Sequence, residues 1–410
     1  MASEPVYVIV GGGLAGAKAA QTLREEGFAG RIVLVSQEHE RPYERPPLSK
    51  GFLLGDEPAA KAYVHENGWY ETHGVELRLG VAATGLDLAA HEVALADGSV
   101  LPYRRLLLAT GAYPRRLDVP GADLEGVRYL RTMGDSCALR DDLAGGGKRV
   151  VVVGAGWIGL ETAAAARTYG NDVTIIEPEP TPLYRPLGPE LGAVFGDLHR
   201  RHGVDLRTST GVARITGSGG RVHAVTTDGG AEIPADLVVV GVGVRPATGL
   251  AESAGLTVAD GVVTDRSLRT SDRDVFAAGD VAASDNPLLR RRIRVEHWAN
   301  ALHGGPAAAQ AMLGRDVVYA PVPYFFTDQY DLGMEYSGAA GPGGYDDVVY
   351  RGSVDDLEFV AFWLAEGRVV AGMNVNVWDV TPAVQHLIRS RTVVDRDRLA
   401  DPRVPFGEVS

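Results

Sequence analysis

One cysteine, Cys137, stands in a chain of 410 residues. That scarcity excludes an internal disulfide framework and any redox centre built from two cysteines of one chain. It suits a reducing compartment, so cytoplasmic residence is the expectation. Also missing is any run of about 18 apolar residues, the length a membrane-spanning helix needs. The N-terminus has no basic stretch or small-residue cleavage site and passes directly into an apolar run at Val6, which argues against a secretory signal. Positive charge is in deficit: the formal net charge is −13, whereas a general nucleic-acid binder is usually basic. The 10 histidines lack metal-ligand spacing. The closest pair, His199 and His202, has no cysteine or third ligand beside it and reads as a solvated helix face; no metal is expected.

What is present is the composition of a folded protein, 45% apolar and 23% charged, with length for two or three domains. Two segments share one pattern. The first runs through Val6–Val10, the turn Gly11-Gly12-Gly13-Leu14-Ala15-Gly16, an alanine-rich helix and a second apolar strand at residues 32–35. The second runs through Arg149–Val153, the turn Gly154-Ala155-Gly156-Trp157-Ile158-Gly159, another alanine-rich helix and a strand at residues 173–176. Each is a strand, glycine turn, helix and strand, and the continuous apolar strands suit a parallel sheet covered on both faces. In such a turn the first glycine allows the bend, the second lets a pyrophosphate approach the backbone, and the third lets helix pack on strand. The helix N-terminus then offers N–H groups to phosphate. Two turns in one chain imply two dinucleotides, a flavin and a nicotinamide.

Further strands end in turns at Ala109-Thr110-Gly111, at Gly243 and at Gly279-Asp280, while residues 357–364 and 369–375 read as antiparallel strands followed by a helix over 382–391. The expected fold is α/β, with two Rossmann-like dinucleotide-binding domains of glutathione-reductase type and a C-terminal α+β domain. The expected boundaries are 1–113 with 245–322 for a discontinuous FAD domain, 114–244 for the NAD domain and 323–410 for the last. Glu177 closes the second unit's strand, where a carboxylate accepts from a ribose 2′-hydroxyl and repels a 2′-phosphate, favouring NADH. In the first unit Ser36 takes that place, with Glu38 two residues on as the ribose candidate. Asp280 suits a polyol such as the ribityl chain.

The motifs VIVGGGLAG, RPYERPPLSKGFL at residues 41–53, LLLATGA, VVVGAGWIGLE at 151–161, LGPELG, FAAGDVA, EHWANAL, PYFFTDQYD and LIRSR follow in order along nearly the whole chain. Together they resemble the FAD-dependent NADH:ferredoxin and rubredoxin reductases that serve bacterial oxygenases, the putidaredoxin-reductase-like family. The resemblance implies hydride transfer from NADH to FAD, then single-electron transfer to a 2Fe–2S ferredoxin or a rubredoxin. It places Lys50 beside the reactive flavin edge and Glu161 as its ionic partner and a nicotinamide contact. Arg45 would neutralise flavin pyrophosphate and Pro47 would pack on the ring. Glu296, His297 and Trp298 would lie near its pyrimidine end, and Phe326, where many relatives carry tryptophan, would cover the ring. Arg185 is a further cofactor-binding candidate. The basic run Arg290, Arg291, Arg292 and Arg294 is the candidate dock for an acidic ferredoxin, and a monomer or weak homodimer is implied.

Rival readings differ in chemistry. A disulfide reductase or NADH peroxidase needs a thiolate beside the flavin, but the loop holds Pro46-Pro47-Leu48-Ser49-Lys50 and Cys137 lies far along the chain, as a small packed side chain. A monooxygenase working through a flavin hydroperoxide would need a substrate pocket and controlled access for oxygen. An NADH oxidase or redox-sensing flavoprotein of the apoptosis-inducing-factor type would need no iron–sulfur partner.

Overall fold

The apolar strands read from the sequence are the centres of two parallel sheets. A computed structural model describes residues 4–410, which divide into two units. The first comprises residues up to Glu44, Ala59–Tyr113 and Arg245–Pro323; the second comprises Arg45–Pro58, Pro114–Val244 and Tyr324–Ser410.

In the first unit a five-stranded parallel sheet has the order Val275–Ala277, Arg105–Leu108, Val6–Val10, Arg31–Val35, Val75–Arg78. Because side chains alternate across a strand, Ile9, Ile32, Leu34 and Phe276 enter one core and Val8, Val10, Val33 and Val275 the other. The helix Leu14–Glu25 packs closely on Trp298–Met312: a Cβ placed on Gly305 would lie 2.2 Å from the Ala15 carbonyl oxygen. A three-stranded antiparallel sheet and a four-stranded mixed sheet belong to the same unit. The mixed sheet contains the hairpin Ala282–Asn286 and Arg291–Arg294, with Gly261–Thr264 parallel to its first strand.

The second unit repeats the plan. Its parallel sheet runs Asp205–Arg207, Asp172–Ile176, Arg149–Val153, Leu237–Val240, Val127–Arg128, with helices Trp157–Thr168 and Tyr184–Arg201. The same unit holds a five-stranded antiparallel sheet: Tyr324–Gln329, Leu332–Gly338, Arg368–Val375, Glu358–Ala365, Asp347–Ser353. The helix Thr381–Ser390 buries Val384, Leu387 and Ile388. The fold is therefore the mixed α/β arrangement expected, with two Rossmann-like parallel sheets and an antiparallel C-terminal sheet. No helix among the described residues is long and apolar enough to cross a membrane.

Candidate active site

Each glycine turn can be tested by asking what a side chain would meet. On Gly11 a Cβ would lie 2.0 Å from the Ala109 carbonyl oxygen, and on Gly16 2.2 Å from that of Gly11. On Gly154 it would lie 2.5 Å from the Gly241 oxygen, and on Gly159 2.0 Å from that of Gly154. The first and third glycines are thus enforced by backbone packing. The middle ones are different: nothing lies within 4 Å of a Cβ on Gly13, and the nearest atom to one on Gly156 is 3.9 Å away. Open space at that glycine is what an approaching pyrophosphate requires. Gly13 and Gly156 are also the N-caps of 12-residue helices with no acid in the first turn. Their N–H groups and positive dipole end therefore suit phosphate. The two turns fit two dinucleotides.

The strand-end acids are more engaged than the sequence suggests. Glu177 is 8% exposed and accepts hydrogen bonds from the Ala155 N–H at 2.6 Å and the Glu179 N–H at 2.9 Å. It ties the second glycine turn to its own strand, with carboxylate lone pairs left for a hydroxyl. Arg185 is highly exposed and pairs with Glu179 at 3.0 Å. In the first unit Glu38 accepts from the Tyr43 hydroxyl, and its N–H donates to Ser36 Oγ at 3.2 Å. Thr110 donates to the Ala247 carbonyl at 2.9 Å, with Gly111 at φ +69° behind it. Gly279 has φ +77° and opens the short 3-10 turn that carries Asp280. Gly243 has φ +93° and accepts from the Arg115 N–H at 2.9 Å.

The chemistry concentrates around one buried carboxylate of the second unit. Proline fixes the φ of Pro46 and Pro47, and the 3-10 turn Pro46–Ser49 leads to Lys50 and the short helix Gly51–Leu54. Leu48, Phe52 and Leu53 are buried and anchor the segment. Ser136, next to the cysteine, donates to the Leu48 carbonyl at 2.7 Å, whereas Cys137 itself is only half-buried. Lys50 Nζ lies 2.6 Å from Glu161 Oε1; the same oxygen accepts from Thr327 Oγ1 at 2.6 Å, and Oε2 accepts from Ser49 Oγ. The Lys50 ammonium also stands 5.5 Å from the centre of the Phe326 ring. Phe325 stacks at a tilt on Trp157 with centroids 4.4 Å apart. Arg45 donates to the Arg131 carbonyl at 2.8 Å.

In the first unit Trp298 donates to Glu44 Oε2 at 2.9 Å, and His297 caps the helix that follows. Glu296 pairs with Arg294, whose side chain is 9% exposed and also reaches Asp260 at 3.0 Å. This corrects the basic-run reading at one position: Arg294 is spent on two carboxylates, and the exposed cations of this hairpin are Arg290, Arg291 and Arg292. A second correction concerns His199. It is fully buried and bonded to Gln329, while His202 stacks on Tyr330, so this helix face is packed and not solvated. Ser49, Thr327 and Gln329 lie within the motifs RPYERPPLSKGFL and PYFFTDQYD, but no local pattern gives any of them a role.

Two dinucleotide turns with a lysine–carboxylate pair and no redox cysteine pair define an oxidoreductase that uses FAD and NAD(H). The chain belongs to the pyridine nucleotide-disulphide oxidoreductase family, whose model matches residues 5–305, and residues 324–410 match the reductase C-terminal model. It is 40% identical over 98% of both chains to the anthranilate 1,2-dioxygenase system ferredoxin–NAD(+) reductase component of Burkholderia cepacia. It is 41% identical to rhodocoxin reductase of Rhodococcus erythropolis, covering 90% of this chain and 86% of that one. The crystal structure of the covalent putidaredoxin reductase–putidaredoxin complex superposes with a TM-score of 0.95 at 36% identity, covering 100% of this chain and 98% of that one.

Proposed function

We propose that this protein oxidises NADH through FAD and delivers electrons singly to a 2Fe–2S ferredoxin or a rubredoxin that serves an oxygenase in the cytoplasm. The observation that carries the reading is the Lys50–Glu161 pair, buried beside Ser49 and Thr327 in a loop without sulfur. When bound, FAD takes electrons as a pair and releases them one at a time. Lys50 holds positive charge at the flavin's reactive edge, and Glu161 orients that ammonium. Gly11, Gly13 and Gly16 hold the flavin pyrophosphate, with Glu38 and Asp280 on its hydroxyls. Gly154, Gly156 and Gly159 hold that of NADH, and Glu177 selects against a 2′-phosphate. The division into FAD, NAD and C-terminal domains belongs to the same reading.

The relatives' names identify ferredoxin reductases of oxygenase systems, and the exposed Arg290, Arg291 and Arg292 offer an acidic ferredoxin a complementary patch. The test is NADH-driven reduction of cytochrome c. Turnover that rises steeply when 2Fe–2S ferredoxin or rubredoxin is added supports the reading; full turnover without either carrier contradicts it.

A further inference from the structure

Three buried side chains join Glu161 to the helix Tyr184–Arg201. Glu161 is 3% exposed, Thr327 0%, Gln329 1% and His199 0%. Thr327 and Gln329 stand two apart on the strand Tyr324–Gln329 and so share one face.

The charge on Glu161 dictates the direction of every bond. A carboxylate paired with lysine only accepts, so Thr327 donates its single proton to Glu161 Oε1 at 2.6 Å. Thr327 Oγ1 is then an acceptor for the next group, and Gln329 Nε2 donates to it at 3.2 Å. The amide is thereby turned so that its Oε1 faces His199 Nε2, 2.9 Å away. Nε2 must therefore carry the imidazole proton. Nδ1 is left to accept from the Tyr330 hydroxyl at 3.4 Å. Tyr330 has φ +56°, a conformation uncommon for a non-glycine residue, and its ring stacks on His202 with centroids 3.7 Å apart. Burial, the largest cause, keeps the His199 imidazole at a pKa of about 4, so it is neutral near pH 7, as the series requires. The charged groups coupled to Glu161 are Lys50, in contact, and, through space, Asp328; the titratable groups near His199 are His202 and Tyr330.

We propose that Thr327, Gln329 and His199 are positioning residues for Glu161: a one-way series of donors that fixes which oxygen the carboxylate presents to Lys50. A glutamine does not pass protons readily, so the series orients and does not conduct. The inference rests on the reading that Lys50 and Glu161 act at the flavin.

The test uses FAD-loaded enzyme, with ferricyanide as acceptor, and five sets of measurements, Glu161→Gln being the reference. Thr327→Val removes the donor to Glu161 and lowers kcat about ten-fold, the scale of a lost hydrogen bond to a charged group, with the KM for NADH changed less than about two-fold because the glycine turn and Glu177, which hold the pyrophosphate and ribose, are untouched. Thr327→Ser, which keeps the hydroxyl, recovers most of the loss. His199→Gln, which keeps an N–H toward Gln329, is impaired less than His199→Leu. In oxidised holoenzyme labelled with 15N-histidine, His199 shows the neutral Nε2–H form, and its resonance moves in Thr327→Val. If His199→Leu unfolds, the Thr327 pair and the histidine spectrum still decide. Unchanged kcat in Thr327→Val with an impaired Glu161→Gln overturns the series alone, as does a loss that serine fails to recover or a proton found on Nδ1. An unimpaired Glu161→Gln overturns the underlying reading of the pair.

Discussion

Lys50 and Glu161 form an ion pair at 2.6 Å in which the carboxylate side chain is 2% exposed and the lysine 16%. Burial makes the pair costly to break: removing one partner strands the other charge away from water. Ser49 and Thr327 are neutral donors to the same carboxylate and replace only part of what the ammonium supplies. Lys50→Met is therefore expected to lose about 3 kcal/mol of stability, measured by denaturant unfolding. Its NADH–ferricyanide kcat should also fall about 100-fold, the scale of removing one preorganised electrostatic group. Glu161→Gln keeps an acceptor for Thr327 and should unfold less easily than Lys50→Met while losing comparable activity.

The glycine turns separate fold from ligand. A methyl group on Gly16 would collide with the Gly11 carbonyl, while one on Gly13 or Gly156 would enter open space. Gly16→Ala should cost roughly 2 kcal/mol or more through overpacking, seen as a lower melting temperature. Gly13→Ala should stay within about 0.5 kcal/mol of the wild type, as substitutions free of strain do, yet be purified with less FAD. Gly156→Ala should keep its FAD and show a KM for NADH raised at least about ten-fold, because the backbone can no longer approach the pyrophosphate.

On the hairpin Ala282–Asn286 and Arg291–Arg294, one arginine differs from its neighbours. Arg291 and Arg292 are exposed, whereas Arg294 is held between Asp260 and Glu296. Replacing Arg291 and Arg292 with glutamate should raise the KM for ferredoxin about ten-fold at low salt through lost steering, with NADH–ferricyanide turnover unchanged. The difference should shrink at about 1 M salt, where the Debye length is near 3 Å. Arg294→Glu should lower the melting temperature, since it places a third carboxylate among two.

Stability should follow the protonation of His199. Its folded pKa is lowered to about 4 from 6.5, chiefly by burial. A depressed value means that the unfolded chain binds the proton first as pH falls. The full contribution is present above about pH 6.5 and is lost as pH drops toward 4, by about 3 kcal/mol at most. Unfolding free energies between pH 7 and pH 4 should therefore fall less steeply in His199→Gln than in the wild type.

Much of this architecture is legible in the sequence because local rules fix it. Val6–Val10 and Arg149–Val153 are apolar at every position but the first or second because both faces of each sheet are covered. Glycines recur in both turns because carbonyl oxygens lie where a Cβ would go. The strands Glu358–Ala365 and Arg368–Val375 and the helix Thr381–Ser390 fall within a residue of where the apolar pattern puts them. What the pattern hides is long-range polar pairing. Thr327 meets Glu161 across 166 positions and His199 meets Gln329 across 130, and no local period records such a partner. His199 and His202 look like surface residues for the same reason: the glutamine and tyrosine that cover them come from the end of a distant strand and the turn after it. Arg294 resembles the three arginines before it, and Asp260, brought alongside by the sheet, joins Glu296 in setting it apart.

The central claim is that a flavin attended by a lysine–carboxylate pair, without thiol chemistry, accepts electrons from NADH. The most direct measurement is an anaerobic titration of the purified holoenzyme with NADH, followed by absorbance at the flavin band. One equivalent of NADH should bleach one equivalent of flavin in the wild type and in Cys137→Ser alike, and at least about 100-fold more slowly in Lys50→Met. A second equivalent consumed before the flavin is fully reduced, or bleaching lost in Cys137→Ser, would show an electron store in sulfur and contradict the account.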